Sequence, residues 1–156
     1  MGYAQTAADY LARAGQEMSF PGLALGPDNA IDLILKSGVH LGIRLDPDSG
    51  ALHLWSQLFE QPDLLPPKLL STMLEANFLW QGTRGAVLTV GDGAVALLRR
   101  LDLGRIAYDD FRTALESFLT VAEHYARACA VAADAPAAAA APSRAAFEPP
   151  WLMIRG

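Results

Sequence analysis

The residue types able to do chemistry are few in this chain, and they are scattered. His40 and His53 lie on neighbouring segments that alternate apolar and polar residues, so they can approach each other across a sheet. A zinc site needs one or two further ligands, and no cysteine or acid is well placed beside them. The third histidine, His124, lies on a helical stretch. Asp46-Pro47-Asp48-Ser49-Gly50 has the opening acids of a calcium loop. The later ligands and the closing Glu of such a loop are missing, so it reads as a strand-connecting turn. Gly82, Gly85, Gly91 and Gly93 precede no Gly-Lys-Ser/Thr sequence and read as helix stop and turn residues. No serine stands in a Gly-x-Ser-x-Gly elbow. Cys129 is alone, has no internal disulfide partner and reads as packing. The sequence therefore predicts no catalytic residues, no metal and no cofactor. A surface is expected to carry the function.

The elements that must shape that surface follow from periodicity. Residues 4–18 repeat apolar positions every three to four residues and predict a helix with Ala7, Tyr10, Leu11, Ala14 and Met18 on one face. Residues 30–58 alternate with a period of two and predict three strands. A three-residue loop, Lys36-Ser37-Gly38, pairs Leu35 with Val39, Leu33 with Leu41 and Ile31 with Ile43. A two-residue turn would put the apolar sets on opposite faces, so the longer loop is preferred, with Gly38 at positive φ. Pairing Leu45 with Leu52 sets Trp55 opposite Gly42, on a face shared with Ile34, His40 and His53.

Residues 64–80 predict a second helix, with Pro66 and Pro67 in its first turn. Leu69, Met73, Ala76 and Trp80 form one stripe; Leu70, Leu74 and Phe78 form another. A helix apolar on two sides is buried on two sides. One side can meet this chain's own sheet, and the other calls for a second surface. Leu79 is expected to plug the turn that follows. Residues 86–101 predict a hairpin about Asp92-Gly93, pairing Val90 with Val95 and Leu88 with Leu97. Residues 108–131 predict a third helix, with acids Asp109 and Asp110 near its start. Its buried face is expected to include Phe111, Leu115, Phe118 and Tyr125. The order α-β-β-β-α-β-β-α gives an α+β fold: an antiparallel five-strand sheet with three helices.

The 156 residues fit one domain, and a hydrophobic content of 52% supports a real core. A net charge of −5 argues against a nucleic-acid partner, which needs clustered cations. The longest apolar runs are too short to span a membrane, and the N-terminus lacks the pattern of a signal peptide, so a soluble cytosolic protein is expected. Residues 1–131 form the expected domain. Residues 132–146 are Ala/Pro-rich and read as a linker. Residues 147–156 then gather Phe147, Trp151, Leu152, Met153 and Ile154, a tail motif expected to dock on its own domain or a partner.

The stretch 69–103, LLSTMLEANFLWQGTRGAVLTVGDGAVALLRRLDL, resembles the Tir-chaperone (CesT-type) family, the class I chaperones of type III secretion. A leucine-rich helix ends in Ala76-Asn77. A Gly82-Thr83-Arg84-Gly85 break, a strand, an Asp-Gly turn and a further strand follow. IAYDDFRTALESFLTVAEHYAR, residues 106–127, then resembles the family's last helix. The similarity covers residues 4–128, and the tail departs from it. The resemblance implies a non-enzymatic, cytoplasmic bacterial homodimer. Such a protein binds the N-terminal region of secreted effectors, keeps it secretion-competent and aids its targeting, with the secretion-system ATPase as a further partner. It also implies a dimer interface at Leu69, Leu70, Met73, Leu74, Asn77 and Phe78. The effector would run over sheet edges and grooves of the first helix and first three strands, with Tyr10, Ile34, Leu35 and Trp55 as the expected walls. An extended peptide needs a free strand edge beside apolar pockets, which the first three strands supply. The rival readings are a small metal- or ligand-binding domain using His40, His53, Asp46 and Asp48, and an adaptor or immunity protein of similar fold.

Overall fold

Period-two segments make the sheet and period-3.6 segments the helices. A computed structural model describes residues 2–135. Helix α1 (Tyr3–Glu17) leads into strands β1 (Ala30–Ile34), β2 (His40–Asp46) and β3 (Ala51–Phe59). Helix α2 (Pro67–Ala76), the hairpin β4 (Val87–Gly91) and β5 (Ala94–Asp102), and helix α3 (Tyr108–Asp134) complete the order. The five strands are antiparallel and lie in the order β1-β2-β3-β5-β4, so β1 and β4 are the two edges. This is the α+β arrangement the alternation predicts. The tail motif, 147–154, lies outside the described residues.

The registers follow the apolar alternation. Ile31 faces Ile43 and Leu33 faces Leu41. The β1–β2 loop has three residues: Leu35 N–H bonds Val39 O at 2.8 Å, Gly38 N–H bonds Leu35 O at 2.8 Å, and Gly38 has φ 83°. Leu45 pairs with Leu52, and Trp55 pairs with Gly42. In the second hairpin Leu88 pairs with Leu97 and Val90 with Val95. Its Asp92-Gly93 turn has positive φ at both residues, 51° and 75°, as a type I′ turn requires.

The inward phase of the sheet, including Leu41, Ile43, Leu52, Leu54 and Leu97, is buried under α3. The α3 residues Phe111, Leu115, Phe118, Ala122, Tyr125 and Cys129 are all buried there. Each such large side chain contributes about 1.5–3 kcal/mol relative to exposure. Helix α1 is tied to α3 by polar contacts as well as packing. Tyr108 Oη donates to Glu17 Oε2 at 2.8 Å, and Arg13 Nε meets Glu17 Oε1 at 2.9 Å. The Arg13 guanidinium lies 3.8 Å from the Tyr108 ring centroid. The Tyr108 hydroxyl, and secondarily Arg13, hold the Glu17 carboxyl below the usual carboxylate range.

Helices α2 and α3 differ in length from their predicted spans. Helix α3 runs on to Asp134, into the segment read as linker. Helix α2 is shorter than 64–80: Leu64 belongs to a separate single turn, Pro62–Leu64, and the α-helix stops at Ala76. Residues Phe78–Trp80 form a 3-10 turn in which Leu79 and Trp80 take left-handed φ values of 51° and 55°. Trp80 therefore does not continue the stripe of Leu69 and Met73, and the exposed Leu79 plugs nothing. The cause lies at Asn77. Its carboxamide is bonded to the main chain of β4, which fixes where the helix ends and turns the chain aside.

Candidate functional site

One edge of the sheet is open and the other is closed. In an antiparallel pair, the residues whose N–H and C=O face the partner alternate with residues whose groups face outward. The Leu35 N–H to Val39 O bond sets that phase for β1, so Leu33 and Ile31 bond β2 while Asp32 and Ile34 point their main-chain groups away from it. Ala30 O is already taken by Gly26 N–H at 2.8 Å. Asp32 and Ile34 thus present a short, ready-made edge for an extended peptide.

The same phase argument applies to β4, where Leu88 and Val90 face outward. At Leu88 the edge is occupied. Asn77 Nδ2 donates to Leu88 O at 2.9 Å, and Leu88 N–H donates to Asn77 Oδ1 at 2.8 Å. One side-chain amide makes both bonds that an added strand would make there. Only Val90 is left outward on that edge.

Beside the open β1 edge lies the helix-free face of the sheet. Ile34 is 67% exposed on it. The half-buried Trp55 indole lies flat over Gly42, so close that a Cβ at Gly42 would fall 2.0 Å from Trp55 Cε2. No residue but glycine fits under that ring. His40 stands next to it, ring centroids 6.2 Å apart. Gln57 N–H donates to His40 Nδ1 at 3.1 Å, so the ring proton sits on Nε2, which donates to Asp32 Oδ1 at 2.9 Å. His40 thereby continues the β2–β3 ladder with its side chain where main-chain pairing stops, and ties the result to the edge residue Asp32. Asp32 was not singled out by sequence, although the hairpin register that puts Ile34 opposite His40 carries the signal. His53, Arg44 and Arg100 form a cross-strand row further along the face.

At the opposite end, apolar side chains face solvent. Phe78 is 72% and Leu74 68% exposed, and Leu79 and Trp80 are each more than half exposed. Val87 and Leu98, paired across β4 and β5, are exposed on the other face, where they extend the Gly42–Trp55 row. A groove of about 350 Å³ runs between Leu70, Met73 and Leu74 of α2 and Leu88, Val90 and Val95. A second apolar groove, about 410 Å³, lies between α1 and the turn after it, walled by Ala12, Gly15, Phe20 and Leu23. Exposed apolar surface gathered at one end of a small domain marks an interaction site. Among the described residues no group of three or more His, Cys, Asp or Glu could hold a metal ion, and no helix is long and apolar enough to cross a membrane.

A family model, Tir chaperone protein (CesT) family, matches residues 10–126. The chain belongs to the Tir chaperone protein (CesT) family. Comparison with curated proteins gave no match. The fold is similar to that of solved complexes. The ExsC–ExsE complex matches with a TM-score of 0.67 at 18% identity, covering 83% of this chain and 97% of that one. The HopA1–SchA chaperone–effector complex matches at 0.61 and 13% identity, covering 80% and 95%. The heterodimeric ExoU–SpcU complex from the type III secretion system of Pseudomonas aeruginosa matches at 0.57 and 21%, covering 78% and 93%.

In this CesT-family chain the residues expected to function fall into three groups. Ile34 and Trp55 share the open face beside β1. Tyr10 and Leu35 do not join them. Tyr10 is half-buried between the helices, packs edge-on to Tyr108 at 5.5 Å and donates its hydroxyl to Ile106 O. Leu35 is only 7% exposed and belongs to the core under the hairpin loop. At the other end, Leu74 and Phe78 face solvent, Leu69 and Leu70 are half-buried, and Met73 is buried against the sheet. Asn77 fastens α2 to β4. Leu79, Trp80, Val87, Val90 and Leu98 were missed as surface residues. Alternation and helical period tell which residues share a face, not whether a second layer covers it.

Proposed function

We propose that this chain is a type III secretion chaperone that works as a homodimer and binds an extended N-terminal segment of a secreted effector. The observation that carries the reading is the pairing of one open strand edge with one closed one. Asp32 and Ile34 offer main-chain donors and acceptors beside the exposed Ile34 and the Trp55–His40 face, while Asn77 closes β4 at Leu88. Membership in a chaperone family and likeness to chaperone–effector complexes support it. Main-chain bonding gives affinity with little sequence demand, and apolar pockets supply selection.

The exposed Leu74, Phe78, Leu79 and Trp80 end is the surface for a second copy of the chain. It lies at the edge of the sheet remote from β1, so dimerisation leaves both peptide edges free. The work is holding and delivery, without catalysis or cofactor, in the bacterial cytoplasm, and the secretion ATPase is the downstream partner. The chaperone unit runs to the end of α3 at Asp134, three residues past the expected boundary, followed by the linker and tail.

The test is co-expression with N-terminal segments of secreted proteins from the same genome, followed by light scattering and amide exchange. A dimer carrying effector, with the Asp32 and Ile34 amides protected in the complex together with those of the effector segment, is the expected result. A monomer at micromolar concentration, or an effector complex in which either set of amides exchanges freely, would reject the respective half of the reading.

A further inference from the structure

The open β1 edge has a candidate occupant within the same chain. We propose that segment 147–154 adds to this edge as an antiparallel strand and holds it until an effector displaces it. The displacement step rests on the effector reading above; occupation of the edge by the tail does not.

Four observations converge on this assignment. The first is where α3 delivers the chain. Ala126, Arg127 and Ala130 border a cleft of about 280 Å³ whose other wall is the β1–β2 loop, Ser37-Gly38-Val39. The helix ends at Asp134, a single turn beyond Ala130, or roughly 6 Å at 1.5 Å per residue. The chain thus leaves α3 near the loop end of β1.

The second is reach. Residues 136–146 can extend by at most about 36 Å at ~3.3 Å per residue. Strand β1, Ala30–Ile34, is about 17 Å long by the same measure. The linker therefore spans the strand with slack to spare.

The third is the chemistry of the segment. Pro149-Pro150 fixes an extended backbone and offers no N–H. Trp151, Leu152, Met153 and Ile154 follow without a glycine, proline or charge. That supplies free donors and acceptors for Asp32 and Ile34, with alternate side chains available to the Ile34–Trp55 face. At β4 the Leu88 position is already bonded by Asn77, so the same segment finds less than a strand's worth of bonds there.

The fourth is direction and charge. Strand β1 runs towards the loop, and a tail arriving from the loop must run the opposite way. An antiparallel run carries Arg155 towards the start of β1, where Asp28 lies.

The test uses the full chain and needs no effector. Amide hydrogen exchange is compared between the wild type and the double variant Leu152→Pro/Met153→Pro, which removes two tail donors outside the described fold. Exchange at Asp32 and Ile34 is expected to be about tenfold or more faster in the variant, while Leu54 and Phe118 in the core are unchanged. A synthetic peptide of residues 147–156, added to the variant, should restore slow exchange at the same two amides. Equal rates in wild type and variant would overturn the proposal, as would protection by the peptide at Val90 instead. An effector that binds elsewhere while tail protection stands would remove the effector reading and leave this one.

Discussion

The Asn77 carboxamide and the Leu88 peptide group form a closed two-bond pair, at 2.9 and 2.8 Å, that couples the end of α2 to the edge of β4. Asn77→Ala leaves a part-buried N–H and C=O unsatisfied together and is expected to cost about 1–3 kcal/mol. Asn77→Asp keeps the acceptor for Leu88 N–H but loses the donor to Leu88 O, and should fall between wild type and Ala. Urea unfolding of the three proteins orders them. An alanine variant as stable as wild type would contradict the geometry.

Gly42 and Trp55 make a second steric pair. Gly42→Ala places a methyl inside the indole, so the ring must leave its seat. The expected loss is roughly 1–3 kcal/mol, the usual cost of overpacking. In the background of Trp55→Val the same substitution should be nearly silent. A double-mutant cycle with no coupling between the two sites would count against the stacked arrangement.

Leu74→Arg and Phe78→Arg place charges on surface that the single chain leaves exposed. Each should change the stability of the monomer by no more than about 0.5 kcal/mol, as surface substitutions do. Both should dissociate the proposed dimer, read as a halved mass by light scattering at unchanged circular dichroism. A dimer that survives both substitutions would move the interface elsewhere.

The Tyr108–Glu17–Arg13 cluster predicts a pH dependence with a definite sign. The folded state holds the Glu17 carboxyl below its ordinary value, first through the Tyr108 hydroxyl and then through Arg13. The unfolded chain therefore binds a proton first as pH falls. The contribution is complete above the ordinary carboxylate range and is lost as pH drops through the lowered folded value. Glu17→Gln should be less stable than wild type at neutral pH, with the gap narrowing through the acidic range. Thermal melts from neutral to strongly acidic buffer measure it; a gap that widens on acidification has the wrong sign.

Strand registers were legible because one fact fixes each of them. Leu33 and Leu41 must share a face, as must Leu45 and Leu52, and a slip of one residue would expose both. Helical period did not fix the end of α2, although the family resemblance placed it at Ala76-Asn77. Apolar residues continue through Phe78, Leu79 and Trp80, and helical period accepts them readily. What stops the helix is a long-range bond from Asn77 to Leu88, made only once the hairpin is in place. The site was half legible. Ile34 and Trp55 emerged from alternation; the same alternation sets Leu35 in the inward phase with Leu33, so its burial was legible and only the resemblance had placed it among the groove walls. The closed state of the β4 edge depends on a side chain from another element, which no local pattern records.

The left-handed turn at Leu79 and Trp80 has a consequence for what the isolated chain can be optimised for. A bulky L-residue in that conformation costs about 1–2 kcal/mol relative to glycine, and two stand in succession. Burial repays only part of the strain, since Leu79 and Trp80 stay 62% and 56% exposed. Glycine at either position would make a better-folded monomer with less to offer a partner. The folded chain is thus held away from its own stability optimum at the place where it is most apolar, and relief of that conflict has to come from outside the molecule.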